Sequence, residues 1–216
     1  MTGTELSTAL GLRMGDAGEG VFTVQIKVDA INSAQRTIAN LIDDAYLSDL
    51  EEIKDNQALA VGTNTSSVSF ATAGIDVLRG RVIGVFDEGQ DIWCSIISAR
   101  DAHQLDNAYL NGTTSNPVAY TFNETLYVKP TTVTTVDIWY LKSPTSYIYN
   151  SSGSMATECE LNPALQELVL DFAESQLWRT DGKLNRAEST NNSAVAQIQI
   201  LNNKVQVNKN VGGSNR

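Results

Sequence analysis

The sequence predicts an α+β fold in which N- and C-terminal helices pack as a helical bundle with an inserted antiparallel β block. Apolar residues recur every three or four positions near both ends of the chain, whereas the middle is a series of short β-branched and aromatic runs punctuated by Gly, Asn, Pro and Asp. There is no βαβ alternation, so a doubly wound parallel sheet is not expected. With 216 residues, 42% hydrophobic and 19% charged, the chain has the composition of a folded protein with a sizeable core. These patterns assign residues 1–52 and 158–207 to the bundle and 53–144 to the β-rich insert. Residues 145–157 are left as a loop or arm, and 208–216 as a flexible tail.

The first helix is expected from Leu6, Leu10 and Met14, spaced by four, with Thr4 as its N-cap and Gly15 as its end. From Thr23, the positions Val24, Val28, Ile31, Ala34, Ile38 and Leu41 line one face of a second helix of about five turns. Gln25, Lys27, Asn32, Arg36 and Asn40 fall elsewhere on it. Tyr46, Leu47 and Leu50 extend the apolar surface into a last helical piece. The acids Asp43, Asp44, Asp49, Glu51, Glu52 and Asp55 mark an exposed negative edge.

Strands are expected at Ser66–Ala71, Arg81–Asp87, Asp91–Ile97, Val118–Phe122, Thr125–Pro130 and Thr135–Leu141. The connections DEGQ and FNET have hairpin length. A helical turn or two is expected over Ala99–Asn107. After the polar run that ends near Ala156, Asn162 and Pro163 supply a cap and a first-turn proline for a helix with Leu165, Leu168, Val169, Phe172, Gln176 and Leu177 on one face. Asp181 and Gly182 stop it. Ala194, Ile198, Leu201 and Val205 mark a final helix.

Reactive constellations are scarce. His103 is the only histidine, no GxSxG surrounds a serine, and neither a phosphate-binding glycine loop nor a dinucleotide fingerprint is present. Cys94 lies in an apolar strand, and Cys159 sits between Glu158 and Glu160, whose charges disfavour a thiolate. The acid pairs Asp43/Asp44, Glu51/Glu52 and Glu158/Glu160 read as solvated surface. No catalytic residue, cofactor or metal site is expected. Two cysteines 65 residues apart fit a reducing compartment, and the absence of a signal-peptide pattern or a membrane-length apolar run fits a soluble protein made in the cytoplasm.

Charge is more informative. The net charge is −10 and the pI near 4.5, which disfavours general nucleic-acid or membrane binding. From Gln176 onward, however, Arg179, Lys183, Arg186, Lys204, Lys209 and Arg216 face only Asp181 and Glu188, leaving +4 there and −14 on residues 1–175. A basic end on an acidic body suits docking onto an acidic partner or onto the acidic body of the next copy. Repeated head to tail, such a heterologous contact generates a ring where its rotation closes.

Several segments, in order, resemble the head-to-tail adaptor (connector) proteins of tailed bacteriophages. Leu6, Leu10, Arg13, Gly15 and Asp16 resemble the family's first helix and its Arg-x-Gly-Asp stop. INSAQRTI (residues 31–38) is similar to the second helix with its Asn-x-Ala pattern. NPVAYTFNETLYVKP (116–130) and WYLKSP (139–144) resemble the β insert and its Tyr-x-Lys-x-Pro exit, and LNPALQELVLDFAESQL (161–177) is similar to the long helix that follows. Ala73, Gly74, Ile75 and Asp76 depart from the family's frequent Leu-Pro before the first central strand.

The resemblance implies a structural virion protein of the neck, assembled in the host cytoplasm. It implies a homo-oligomeric ring, typically dodecameric, below the portal protein, extending the DNA channel and docking tail or nozzle proteins. DNA passes through the lumen without sequence-specific binding. It also implies that the C-terminal stretch, with Lys204, Val205, Val207, Lys209, Val211 and Arg216, reaches the portal or a neighbouring subunit. A different class also fits the residues: a β-rich module binding carbohydrate or a receptor through Trp93, Trp139, Tyr120 and Tyr147.

Overall fold

The computed structural model describes residues 1–16, 18, 20–102 and 112–212, with side chains as far as Gln206. His103, Arg216 and most of the turn expected over 99–107 lie outside the described residues. Helices stand at both ends and β sheets between them, so the fold is α+β. The chain divides into a helical unit, Met1–Leu50 with Pro144–Arg216, and a β unit, Glu51–Ser143.

In the helical unit, α1 (Gly3–Arg13) starts at Thr2 rather than Thr4. Glu5 stands three residues after Thr2, which completes a reciprocal capping box, while the Thr4 hydroxyl donates to the Met155 carbonyl at 3.1 Å. α2 (Val24–Leu41) is capped by Thr23 and runs 18 residues, with Val28, Ile31, Ala34 and Ile38 buried along one stripe. Lys27, expected off that face, is only 3% exposed because Asp16 meets it below the surface. Beyond Ile42 the chain makes two 3-10 turns, Asp44–Tyr46 and Ser48–Leu50, and buries Leu47 and Leu50.

Residues 145–157, read from the sequence as a loop or arm, are tied into this unit. Tyr147 is buried, and its backbone N–H and C=O exchange hydrogen bonds with the Asn32 side-chain amide at 2.8 and 2.9 Å. A short helix, α4 (Ser152–Ala156), follows, and Gly3 and Cys159 donate backbone bonds to Thr157 and Met1. Sequence could not show this because the ties run between Ser, Thr and Asn side chains and distant backbone, and they leave no apolar period.

A 3-10 turn, Pro163–Leu165, capped by Asn162, leads into α5 (Gln166–Thr180). Leu165, Leu168, Val169, Phe172 and Leu177 are buried as the spacing requires, and Gly182 turns the chain at φ 75°. The last helix, α6 (Leu184–Gly212), packs back on α5 and buries Ala187, Ala194 and Ile198. It runs through residues 208–212, beyond the boundary read from Val205.

The β unit holds two sheets. The first orders β1 (Glu51–Ala58), β9 (Thr135–Lys142), β4 (Val77–Asp87) and β5 (Ile92–Trp93). The second orders β2 (Ala60–Val61), β3 (Ser66–Ser69), β8 (Thr125–Lys129), β7 (Val118–Phe122) and β6 (Ser95–Ile96). Among the described residues the pairs are antiparallel, as expected, apart from β6 with β7, which is parallel. The single strand expected over 91–97 splits at buried Cys94 and contributes to both sheets. Phe70 and Ala71, expected as strand, belong to a one-turn helix, α3 (Phe70–Ala73), that Ser69 caps. Asn123 and Glu124 both take positive φ and close the β7–β8 hairpin as a two-residue loop. Val85, Ala119, Leu126, Val128, Val136 and Ile138 form the shared core.

β1 was not expected from the sequence. It is an edge strand with no buried residue and a register shift between Lys54 and Gln57. Largely exposed, with Ile53 its one large apolar residue, and interrupted by a bulge, it carries no period-two pattern and reads as the acidic end of the preceding helical piece.

Candidate functional site

Among the described residues the two thiols are the reactive candidates, and each is buried. Cys94 and Cys159 are buried free thiols in different units. Burial, helped by the Asp87 charge, pushes the Cys94 thiol up to about 12. Burial also raises Cys159, and Glu160 adds only a smaller push, so the neighbouring acids are not the main cause that the sequence suggested. Among the described residues no group of His, Cys, Asp and Glu is placed to hold a metal ion, and no helix is long and apolar enough to cross a membrane.

One acid of each pair has a structural partner. Asp43 accepts from the Ala45 N–H at the start of a 3-10 turn, Glu52 pairs with Lys142 at 3.3 Å, and Glu160 accepts the Thr145 N–H at 2.7 Å. A groove of about 450 Å³ beside Thr4, Ser7, Gly11, Lys27 and Met155 offers mainly hydroxyls. Its buried lysine already donates to the Asp16 carbonyl at 3.0 Å.

The residues that carry the family resemblance turn out to be joints. Arg13 at the end of α1 reaches Glu167 and, at 2.6 Å, Asp171 on α5, fastening the first helix to the long one. Gly15 takes φ 68° and turns the chain so that the Asp16 carboxylate accepts from Phe22 and Val21 at 2.8 and 3.0 Å. Those bonds, led by Phe22 and aided by Lys27, hold the Asp16 carboxyl below the usual carboxylate range. Asn32 holds Tyr147, and Ala34 two residues on is fully buried. In the exit pattern, Tyr140 is buried in the β core and Lys142 pairs with Glu52. Burial, then Glu52, raises the Tyr140 phenol.

The four aromatics considered as a binding platform have different surroundings. Tyr147 belongs to the helical unit, where its ring lies over Gly3: a Cβ there would stand 2.6 Å from it. Tyr120 stacks on Tyr127 across β7 and β8 at 5.1 Å. Trp93 and Trp139 do come together, their ring centroids 4.2 Å apart, with Phe86 edge-on to Trp93 at 5.3 Å. Trp93 is still 50% exposed. Gly84 makes the pair possible, because a Cβ at that position would approach Trp93 to 2.7 Å and Trp139 to 3.0 Å. The sequence offered no signal for that glycine beyond its place in a strand.

At the basic end, Lys204 is exposed and Val205 half-buried on α6, while residues 207, 209 and 211 fall within its backbone span. α6 has 29 residues against 15 in α5, so its C-terminal part outruns its neighbour by about 20 Å. There Asn202 donates to the Leu41 carbonyl at 2.9 Å and accepts the Asp43 N–H at 2.8 Å. Gln206 reaches the Asp43 carboxylate at 3.5 Å.

Arg13, Asp16 and Asn32 thus tie the helical unit together, and Lys142 ties β9 to β1. The model of the SU10 adaptor protein family matches residues 1–212. The chain belongs to that family, and is thereby a phage adaptor with a place in the virion neck between portal and tail partners. No curated protein matches it.

Proposed function

We propose that the protein is a structural head-to-tail adaptor whose copies form a ring below the portal, extend the DNA channel and dock the tail, with no chemical transformation. Membership of the adaptor family across residues 1–212 carries this reading. The acidic body supports it, since a wall of net negative charge provides no phosphate-binding wells to stall passing DNA. Dispersed thiols with raised pKa and acids used as caps and pairs agree with a scaffold.

Residues 204–216 are the segment assigned to the portal or a neighbouring subunit, through Lys204, Val205, Val207, Lys209, Val211 and Arg216. A helix that outruns its intramolecular partner, carrying valines among cations, is equipped for apolar burial and for pairing with acids together. Deleting residues 204–216 is expected to weaken capture of the ring by immobilised portal at least tenfold, while far-ultraviolet circular dichroism of the isolated chain changes only by the lost turns. Undiminished capture would remove the segment from the contact. Sedimentation of the intact chain with portal tests the ring itself, and a chain that stays monomeric both alone and with portal is not a ring former.

A further inference from the structure

The outer face of the four-stranded sheet carries a feature that the adaptor reading leaves unused. Registry places Ile53 of β1 and Gly84 of β4 opposite Trp139 of β9, and Phe86 opposite Trp93 of β5. The inward-facing residues Val85, Val136, Ile138 and Tyr140 fill the core, so the alternate residues look outward. Ile53 and Trp93 remain about half exposed there. The face is built rather than incidental, because Gly84 keeps its Cβ position empty where the stacked indoles lie.

Acids adjoin these aromatics. Asp137 lies opposite Phe86 and two residues before Trp139, and the bulged strand β1 brings Asn56 to donate to Asp137 at 2.8 Å. Glu88 and Asp91 occupy the hairpin between Phe86 and Trp93, and both are exposed. A hydrogen bond from Glu88 to Asp137, and the charges of Asp137, Asp55 and Asp91, raise the Glu88 carboxyl above its usual range. The charges acting most strongly on Glu88 are all negative. Such a cluster of exposed acids beside aromatics is matched by a cationic surface with an apolar centre.

The same chain presents that surface in its helical unit. At the corner between α5 and α6, Arg179, Lys183 and Arg186 are exposed, with Asp181 paired to Lys183 at 2.7 Å. Lys183 and Arg186 lie over the Trp178 ring at 4.7 and 5.0 Å, which fixes their positions. Leu184, 57% exposed, stands among them. This corner and the sheet face are complementary in charge, and each has an apolar residue at its centre.

We infer that the outer sheet face around Trp93 and Trp139 is an assembly surface that receives the Arg179–Arg186 corner of a second copy of this chain. The two surfaces are unlike, so the contact is heterologous and repeats from copy to copy around a ring. It deepens the ring reading and rests on it. Trp93 and Leu184 form the dry centre, and the carboxylates and cations form the rim that sets orientation and makes assembly salt-dependent.

Two full-length variants test the contact: Glu88→Lys with Asp91→Lys, and Lys183→Glu with Arg186→Glu. All four sites are exposed, and circular dichroism checks the folds. Assembly with portal is followed by sedimentation. Each variant alone is expected to assemble at least tenfold more weakly than the wild type, and an equimolar mixture to recover, because every contact in an alternating ring then pairs opposite charges. Trp93→Ala is expected to weaken assembly without a rescuing partner. If wild-type chains form rings but the mixture shows no recovery, the contact is wrong while the ring reading stands. Rings that form normally from the lysine variant yet fail to bind a tail component, or Trp93-dependent binding to glycans with assembly unchanged, would assign the face to another occupant and overturn the inference. A wild type that never assembles removes the ring and this contact together.

Discussion

In the helical unit, Asp16 and Lys27 meet beneath the surface, and the Asp16 carboxylate is further held by two backbone N–H groups. In the β unit, Glu88 and Asp137 face one another at the surface, like charge against like, beside a half-exposed tryptophan. In the first unit this pair of charges finds its partners within its own chain. The other holds a cluster of acids beside exposed aromatics, where Asp137 accepts the Asn56 N–H and the charges acting on Glu88 are negative. That difference separates a frame from a contact surface: buried polar groups without partners destabilise a fold, while unmatched groups at a surface cost little until a partner arrives.

The largest effects are expected where the frame is densest. Leu168→Asp or Phe172→Asp puts an unpaired carboxylate on the buried face of α5, where the wild-type side chains are 2% and 4% exposed. An uncompensated buried charge costs about 3–5 kcal/mol, a large part of the stability of an ordinary domain. Each variant should lose its cooperative helical transition in thermal circular dichroism. Soluble variants with native helicity would mean that this face is not the one packed against α2 and α6.

Legibility in the sequence follows the same division. Much of α2 and α5 could be read from spacing, because a helix buried on one side writes its environment into a period of three and four: Val28, Ile31, Leu168 and Phe172 are buried as that period demands, while Leu41, expected on the same face, is 47% exposed and Lys27, expected off it, is buried. β1 could not, since an edge strand exposed on both faces has no pattern to leave. The joints were visible as residues without their purpose. Arg13, Gly15, Asp16 and Asn32 could be quoted as parts of a family pattern, but their partners lie as far away as Asp171 and Tyr147, and no local spacing encodes such a tie. The Trp93–Trp139 pair was hidden for a similar reason: neither tryptophan reveals that Gly84 makes room for both. The charge polarity, by contrast, was fully present in composition, and its meaning awaited the placement of α6 beyond the end of α5.

A smaller effect bears on whether the β surface is built. Gly84→Ala introduces a Cβ 2.7 Å from the Trp93 ring, which must shift, whereas Gly84 itself has no positive φ to protect. Overpacking of this kind costs about 1–3 kcal/mol. The near-ultraviolet dichroism and fluorescence of the tryptophans should change with a modest loss of stability, and assembly should weaken in parallel. An unaltered tryptophan spectrum would show that the indoles do not need the space Gly84 leaves, and the face would lose its claim to being a fixed array.

The smallest effect is a difference in sign with pH. Asp16 has its carboxyl lowered by folding, so the native state holds the charged form better than the unfolded chain does. Its contribution is present above its ordinary value of 3.8 and is lost as pH falls through the lowered value. Glu88 has its carboxyl raised, first by the Asp137 hydrogen bond, so the native state binds its proton more readily than the unfolded chain. Its ionised form opposes folding above that raised value, and the penalty disappears as pH falls below the ordinary 4.5. Denaturant titrations from pH 7 to pH 3 should therefore show Asp16→Asn flattening the acid loss of stability. Glu88→Gln should be slightly more stable than the wild type at pH 7 and level with it at the acid end. Equal slopes for Glu88→Gln and the wild type would mean that the acids at the sheet face do not strain one another, and the contrast between a satisfied pair of charges and a cluster of like charges would fail on its electrostatic side.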